Sequence, residues 1–416
     1  MEQHTHILGV SASRVPVARL LCIALGITLL QIMSACLVSG QPTMSAAYLS
    51  LVSGDGDWFA SIIRNGYRTH IPPLPQDLNG SNIAFFPGFP LFAGFLTHTG
   101  FSIDVSLLIA SQLACWGVWT YILLLLYRMR LPWFVQVSAL VGMLTYPSAF
   151  YLVAAYSESL FLFGLMGFLY WLSTCQRPVG YLLAGVHGFI MCAARMVGFP
   201  VSVLPVLLAL IGILRKQVTT WKQGTFSMLH HVFLSLFVAS GALFFFLFCA
   251  AKFGQWDLYM QTNRIGWNTQ PHFAALADLS IYGRCVWPGS PDQWSQFSVV
   301  YISFVFLVLL MLEVLPGNVQ KQQDFWRERV GLYYAAMATF ALSVVSRYDV
   351  SLSGMIRYSV VAHILLVLAA ASLTASFSLS RRTKILLATV VLSACYIFSL
   401  TQGALIYRFA NFVWVA

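Results

Sequence analysis

Asp55 and Asp57 open the stretch DGDWFASIIRNGY, and with Asp77 they put three of the chain's 13 acidic residues between Gly54 and Pro90. The stretch follows the first membrane-length apolar run, Leu20 to Val38, so its carboxylates are held at a membrane face. That is where the water-side active site of a membrane enzyme would lie. Trp58, Phe59, Ile62, Ile63, Gly66 and Tyr67 share one side of a 3.6-residue period, and Ser61, Arg64, Asn65 and Arg68 share the other. The pattern predicts a short amphipathic helix in the interface, with Trp and Tyr at headgroup level. Asp57 directly precedes the periodic run and is placed to cap its free N–H groups, whereas Asp55 has no such local duty. An arbitrary Asp-Gly-Asp is more often turn and cap than catalytic pair, so residue types alone leave both roles open.

Four further groups have chemistry-bearing side chains. Glu158, in AAYSESLF, stands at the end of an apolar run, where a carboxylate is costly; it is suited to bind a sugar hydroxyl, to hold the first loop, or to cap a helix. Arg195, in CAARMVGFP, either pairs with Glu158, contacts a phosphate, or snorkels to the headgroups. The run GQWDLYMQTNRIGWNTQPHF interleaves Trp256, Tyr259 and Trp267 with Asp257, Asn263, Arg264, Asn268 and His272. Aromatic faces beside hydrogen-bonding groups suit a sugar, and an interfacial aromatic belt is the bland alternative. Late in the chain, SRYDVSLSGMIRYSV carries Arg347, Tyr348, Asp349, Arg357 and Tyr358. The Arg357 fork fits two phosphate oxygens, with an internal ion pair to Asp349 or Glu158 as its alternative. His230-His231 lacks converging ligands for a metal, and His363 reads as a satisfied core histidine.

The elements that must position these groups are membrane helices. Hydrophobic residues make up 59% and charged residues 9% of the 416-residue chain, against roughly 25% charged in an ordinary soluble domain. Apolar runs near 16–40, 103–127, 132–151, 157–175, 178–194, 197–214, 228–252, 296–315, 330–346, 355–379 and 385–407 predict an all-α polytopic membrane protein with about 11 spans. The first run reads as a retained span rather than a cleaved signal. With the N-terminus in the cytoplasm, the inner loops collect Arg14, Arg19, Arg128, Arg130, Arg177, Arg215, Lys216, Lys222, Lys321, Arg327, Arg329 and the RRTK run at 381–384, which satisfies the positive-inside rule. Asp324 and Glu328 are the main inner acids. The loops 41–102 and 253–295 then face outward, and nine of the 13 carboxylates lie on that side: Asp55, Asp57, Asp77, Asp104, Glu158, Asp257, Asp278, Asp292 and Asp349. No linker divides the chain, so 1–416 reads as one membrane domain. The eight cysteines have no ligand-like spacing, and all but Cys285 lie in apolar runs, which argues against a disulfide framework or zinc site. The formal charge of +10 is scattered rather than gathered on one face, so nucleic acid is not an expected partner.

Together DGDWFASIIRNGY, AFFPGFPLF, YPSAFYLVAAYSESLF, ARMVGFP and IRYSVV resemble, in order along nearly the whole chain, the PIG-V family of membrane mannosyltransferases within the GT-C glycosyltransferase superfamily. The first and third motifs are the specific ones. The family's aspartate aligns with Asp55 and its Trp-Tyr pair with Trp58-Phe59; a tryptophan usually precedes the aspartate, and here Gly54 stands there. The resemblance implies a GT-C fold with interfacial helices in the first outer loop. It implies inverting transfer of a hexose, mannose in the family, from a polyprenyl (dolichyl-type) monophosphate sugar to a hydroxyl of a lipid-linked or cell-envelope glycan. Asp55, or Asp57, would be the base, with Glu158, Arg195, Arg264, Trp267, Arg357 and Tyr358 around donor phosphate and sugar. Phosphate is already a good leaving group, so no general acid and no metal cofactor is required, although aspartates also accept a divalent cation. Partners are then the lipid-linked donor, a glycolipid or glycan acceptor, and membrane lipids. Short loops and the lack of an ER-retrieval tail favour a bacterial plasma membrane with the site outside; an endoplasmic reticulum membrane with a lumenal site is the alternative. Two other classes compete: a lipid-linked sugar transporter or flippase, which would carry ionisable groups at the bilayer midplane, and a non-catalytic membrane subunit, which transfer by purified protein would exclude.

Overall fold

Backbone N–H and C=O groups have no water to bond in a bilayer, so a chain this apolar satisfies them within helices. In the computed structural model, which describes residues 16–174, 178–215, 221–283, 291–314, 329–374, 377 and 381–412, every regular element is helical. In chain order these are α1 (Val17–Val38), α2 (Met44–Leu49), α3 (Asp55–Asn65), α4 (Gly88–Thr97), α5 (Ile103–Arg128), α6 (Trp133–Leu144), α7 (Glu158–Thr174), α8 (Pro178–Ala194), α9 (Leu204–Leu214), α10 (Trp221–Phe253), α11 (Leu258–Gly266), α12 (Ser280–Gly283), α13 (Pro291–Val314), α14 (Val330–Arg347), α15 (Met355–Thr374) and α16 (Arg381–Ala410). Short 3-10 turns link them, among them Ala149–Leu152 and Met196–Val203.

Eight helices among the described residues are long and apolar enough to cross a membrane: α1, α5, α9 with its 3-10 lead-in, α10, α13, α14, α15 and α16. The chain is a multi-pass integral membrane protein. The three remaining apolar runs, 132–151, 157–175 and 178–194, correspond to the shorter helices α6, α7 and α8 of 12, 17 and 17 residues. The first was expected to run on to residue 151. Instead α6 stops at Leu144, because Pro147 disfavours helical geometry at Tyr146 before it, and a buried connector follows. Apolarity alone does not distinguish a span from a buried connector.

The helix α15 is the central one, buried along most of its length against α13, α14 and α6. Glycines allow close helix approach: a Cβ at Gly164 on α7 would lie 2.6 Å from Met191 N on α8. Charges inside the bundle are paired. Arg329, expected in an inner loop, is fully buried, with Nε 2.6 Å from Glu313 Oε1 and Nη2 donating at 3.1 Å to Oε2. His363 is a satisfied core residue, 3.0 Å from Gly142 O through Nε2 and 3.2 Å from the Tyr301 hydroxyl through Nδ1. The expected positions Arg14, Arg177, Lys216, Cys285, Lys321, Asp324, Arg327 and Glu328 lie outside the described residues, as do the side chains of Lys222, Asp292 and the RRTK run.

Hydrogen bonds between helix ends sort the bundle into two faces. At one, the ends of α5 and α7 meet through Arg128 Nη2, which donates to Ser173 O at 2.8 Å. At the other, the ends of α1 and α16 are seamed: Gln41 Nε2 donates to Ala410 O at 2.9 Å and Asn411 Nδ2 to Ser39 O at 3.0 Å. The Phe409 ring packs 5.7 Å from Tyr156, which joins this seam to the start of α7. Lys252, at the end of α10, donates at 3.2 Å to Tyr67 O just beyond α3. The segments 41–102 and 253–283 therefore lie together over one face.

Candidate functional site

The connector between α6 and α7 builds the floor of the site. Ser148 Oγ donates to Ile356 O at 2.6 Å, the Tyr146 hydroxyl shares a 2.7 Å bond with Ser359 Oγ, and Ala155 N donates to Leu51 O at 3.0 Å. These bonds hold the start of α7 against the first turn of α15 and the approach to α3. Glu158, Arg357 and Asp55, each in the first turn of its own helix, converge as a result. Arg357 presents Nη2 to Asp55 Oδ2 at 2.8 Å and Nε to Glu158 Oε1 at 2.7 Å. Arg195, between α8 and its 3-10 successor, pairs with Glu158 from the other side. Glu158 is fully buried, and its Oε1 lies at ion-pair range of both guanidiniums without hydrogen-bond alignment, so charge rather than geometry compensates it. Of the two internal partners expected for Arg357, Glu158 is found; Asp349 instead lies 3.3 Å from His272 Nδ1.

Asp55, Arg195, Arg357 and Tyr358 line a cavity of about 430 Å³. Part of its wall is aromatic: Phe59, Phe85 and Phe86 from the first loop, and Tyr259 and Trp267 from α11 and its end. Trp58 stacks on Phe85 at 5.8 Å and Trp267 meets both edge-on, so the wall is braced from behind. The Trp267 indole N–H is buried and has no acceptor among the described residues. Gly266 lets α11 close on the first loop, since a Cβ there would collide with Leu78 O. Burial pushes the Tyr259 hydroxyl up to about 12.

The amphipathic helix is α3, with Phe59 and Ile62 buried and Arg64 and Asn65 exposed; it ends at Asn65, so Tyr67, buried, and Arg68, exposed, lie just beyond it. Tyr67 was expected at headgroup level; it is buried, its hydroxyl donating to Phe85 O at 2.7 Å. The expected cap at Asp57 is corrected. The helix starts at Asp55 with Gly54 as its N-cap at φ +63°, and the Tyr156 hydroxyl accepts the Asp55 N–H at 3.2 Å in place of a capping side chain. Asp57 sits in the first turn, exposed and outside the cavity lining. Burial raises its carboxyl above the ordinary range, helped by the Asp104 charge. Gly54 has no room for a side chain, because a Cβ there would strike the Tyr156 hydroxyl. Burial holds that hydroxyl well above its ordinary range, the Asp55 charge adding to the effect.

Arg264 is exposed on α11 and does not line the cavity. Its neighbours Tyr259, Asn263 and Trp267 do, because one face of a helix this short turns inward and the other outward. Sequence reasoning left two contributors out of the site: Tyr156, in a motif valued for Glu158, and Arg347, the last residue of α14, which lines the cavity and bonds the Tyr358 hydroxyl. Among the described residues no three His, Cys, Asp or Glu side chains converge; the neighbours of Asp55 are guanidinium and phenol groups.

The fold and site thus define a multi-pass membrane protein whose helix ends enclose a cavity lined by charged and aromatic side chains. No protein-family model matches the chain, and no curated protein matches it.

Proposed function

We propose that the protein is a GT-C-type, PIG-V-like inverting glycosyltransferase that moves a hexose, mannose on the resemblance, from a polyprenyl monophosphate to an acceptor hydroxyl of a lipid-linked or cell-envelope glycan. The single observation that carries the reading is the Asp55 carboxylate, paired to Arg357, in a cavity that Arg195, Arg347 and several aromatic rings also line. Asp55 Oδ2 is engaged by Arg357, and Oδ1 accepts no hydrogen bond among the described residues. That oxygen takes the acceptor's proton as the hydroxyl attacks the anomeric carbon; the glycosyl bond breaks with its electron pair leaving on phosphate, and the carbon inverts. The aromatic wall takes the C–H face of the sugar, and the Trp267 N–H is a free donor for a ring hydroxyl.

We read the shorter apolar helices α6, α7 and α8 as passes as well, which with the eight long helices makes 11. The cavity lies at the face opposite Arg128, so the positive-inside rule directs it away from the cytoplasm. With its short loops, we assign the protein to a bacterial plasma membrane. The test is transfer from a radiolabelled polyprenyl phosphate sugar by purified protein. Transfer by the parent and a loss of about 10²–10⁴-fold in Asp55→Asn is the expected result; equal rates in the two proteins would remove Asp55 as base, and transfer from a nucleotide sugar without any polyprenyl phosphate would overturn the donor class.

A further inference from the structure

Tyr358 stands at the centre of the charged wall, with the guanidinium carbons of Arg195, Arg357 and Arg347 at 4.7, 4.8 and 4.9 Å from its ring centroid. Its hydroxyl accepts from two of them, Arg347 Nη2 at very short range and Arg357 Nη2 at 3.1 Å. A phenol has one proton and two acceptor positions. With both acceptor positions taken by guanidinium N–H groups, the proton points elsewhere, and among the described residues it is donated to nothing.

The charges around this phenol do not cancel. Three guanidiniums meet two carboxylates, Asp55 and Glu158, and both carboxylates are committed to Arg357 and Arg195. The surplus of 3 − 2 = 1 resides on Arg347, whose only polar partner among the described residues is the Tyr358 hydroxyl. Asp349, two residues on, is turned to His272 and Gln270 instead. Both Arg347 and Tyr358 line the cavity.

We propose that the Tyr358 hydroxyl and the Arg347 guanidinium together seat a phosphate oxygen, the phenol as hydrogen-bond donor and the guanidinium as its charge. The inference deepens the reading above, which supplies a phosphate-bearing donor. It moves the phosphate from Arg357, whose fork is occupied by carboxylates, to the next guanidinium along the wall. Negative charge builds on the phosphate as the glycosyl bond breaks, so a guanidinium and an O–H aimed at that oxygen stabilise the transition state more than the bound ground state. Tyr358 is then a catalytic residue and Arg357 a positioning residue for it.

The test is calorimetric titration of the full-length protein in detergent with two probes, a short-chain isoprenyl monophosphate and inorganic phosphate. Tyr358→Phe keeps the ring and its three cation contacts and removes only the O–H. We expect it to bind isoprenyl monophosphate about tenfold or more weakly, since hydrogen bonds to charged groups are the strong ones, while it still folds, its ligand-free melting temperature lowered only by the acceptor that Arg347 and Arg357 lose to water in the cavity. Arg347→Met should weaken binding at least as much. Loss with the isoprenyl probe alone supports a lipid-linked phosphate, and loss with both probes supports a site for phosphate itself. A parent that binds neither probe, or a Tyr358→Phe variant that binds as the parent does, overturns the seat. Phosphate affinity that depends on Tyr358 in a parent without sugar transfer leaves the seat standing and removes the glycosyltransferase reading; transfer without that dependence does the reverse.

Discussion

Asp55 and Glu158 share one guanidinium, Arg357, which meets the first at 2.8 Å and the second at 2.7 Å. The two carboxylates are not equivalent, because Glu158 also holds Arg195 and is fully buried, while the Asp55 side chain is 16% exposed. Glu158→Gln leaves two arginines short of a counter-charge, and breaking a buried pair costs about 3–5 kcal/mol. Asp55→Asn leaves Arg357 its second partner. Denaturant unfolding in detergent should find Glu158→Gln clearly less stable than Asp55→Asn; the opposite order would show that Asp55, not Glu158, anchors the array.

Asp57 predicts a pH effect. Its carboxyl is raised in the folded protein by burial and by Asp104, so the folded state binds its proton more tightly than the unfolded state does. The sign follows from linkage: this group's contribution to stability is present at low pH and is lost as pH rises from the ordinary value, about 3.9, through the raised one. Asp57→Asn removes that loss. The variant should match the parent near pH 3, and above pH 6 it should exceed it by a few tenths of a kcal/mol, roughly the scale of a surface like-charge pair. Melting curves across that range check it, and a variant less stable than the parent at neutral pH would restore the capping role.

Gly54 and Tyr156 should be energetically coupled. Gly54→Ala puts a side chain at φ +63° and drives its Cβ into the Tyr156 hydroxyl. The left-handed backbone alone costs about 1–2 kcal/mol, and the collision adds to it. Tyr156→Phe removes the colliding atom together with the acceptor for the Asp55 N–H. The double variant should be less destabilised than the sum of the singles by about 0.5–3 kcal/mol, the range seen for residues in contact. Strict additivity in a double-mutant cycle would mean that the hydroxyl is free to swing away.

The helical class, the run positions and α3 were legible in the sequence because they rest on local periodicity, which carries over into structure whenever a face is buried. Asp55, Glu158, Arg195, Trp267, Arg357 and Tyr358 stood out in the sequence, since each is a charge or large aromatic residue in a setting where such groups are costly; all but Glu158 line the cavity. Which of them touch was not legible. The Arg357 pairings depend on three helix ends distant in sequence, and on a connector whose apolar residues imitate a span. Arg347 was visible but unranked, because its place in the cavity and its lack of a carboxylate partner among the described residues are set by the packed arrangement. Arg264 was read as lining the site from composition, and the orientation of a single short helix decides otherwise.

The two faces of the bundle can be distinguished by labelling. Cysteines introduced at Asn65, exposed at the end of α3, and at Arg130, in the turn after α5, should react on opposite sides of the membrane. In a background with the native cysteines replaced, a membrane-impermeant maleimide applied to intact cells should label position 65 and reach position 130 only after permeabilisation. Labelling of both without permeabilisation would sink the topology.

The seam between α1 and α16 also sets a timetable for biosynthesis. Gln41 and Ala410 are 369 residues apart, so at about 5–20 residues per second the ribosome needs roughly 20–75 s to supply the partner of the seam after Gln41 has emerged. During that interval the polar carbonyl edge at Ser39 and the half-buried flank of α1 are without α16. Nascent chains stalled before residue 381 should therefore hold α1 laterally exposed in the bilayer, a substrate for insertion chaperones and membrane proteases that the finished protein no longer is.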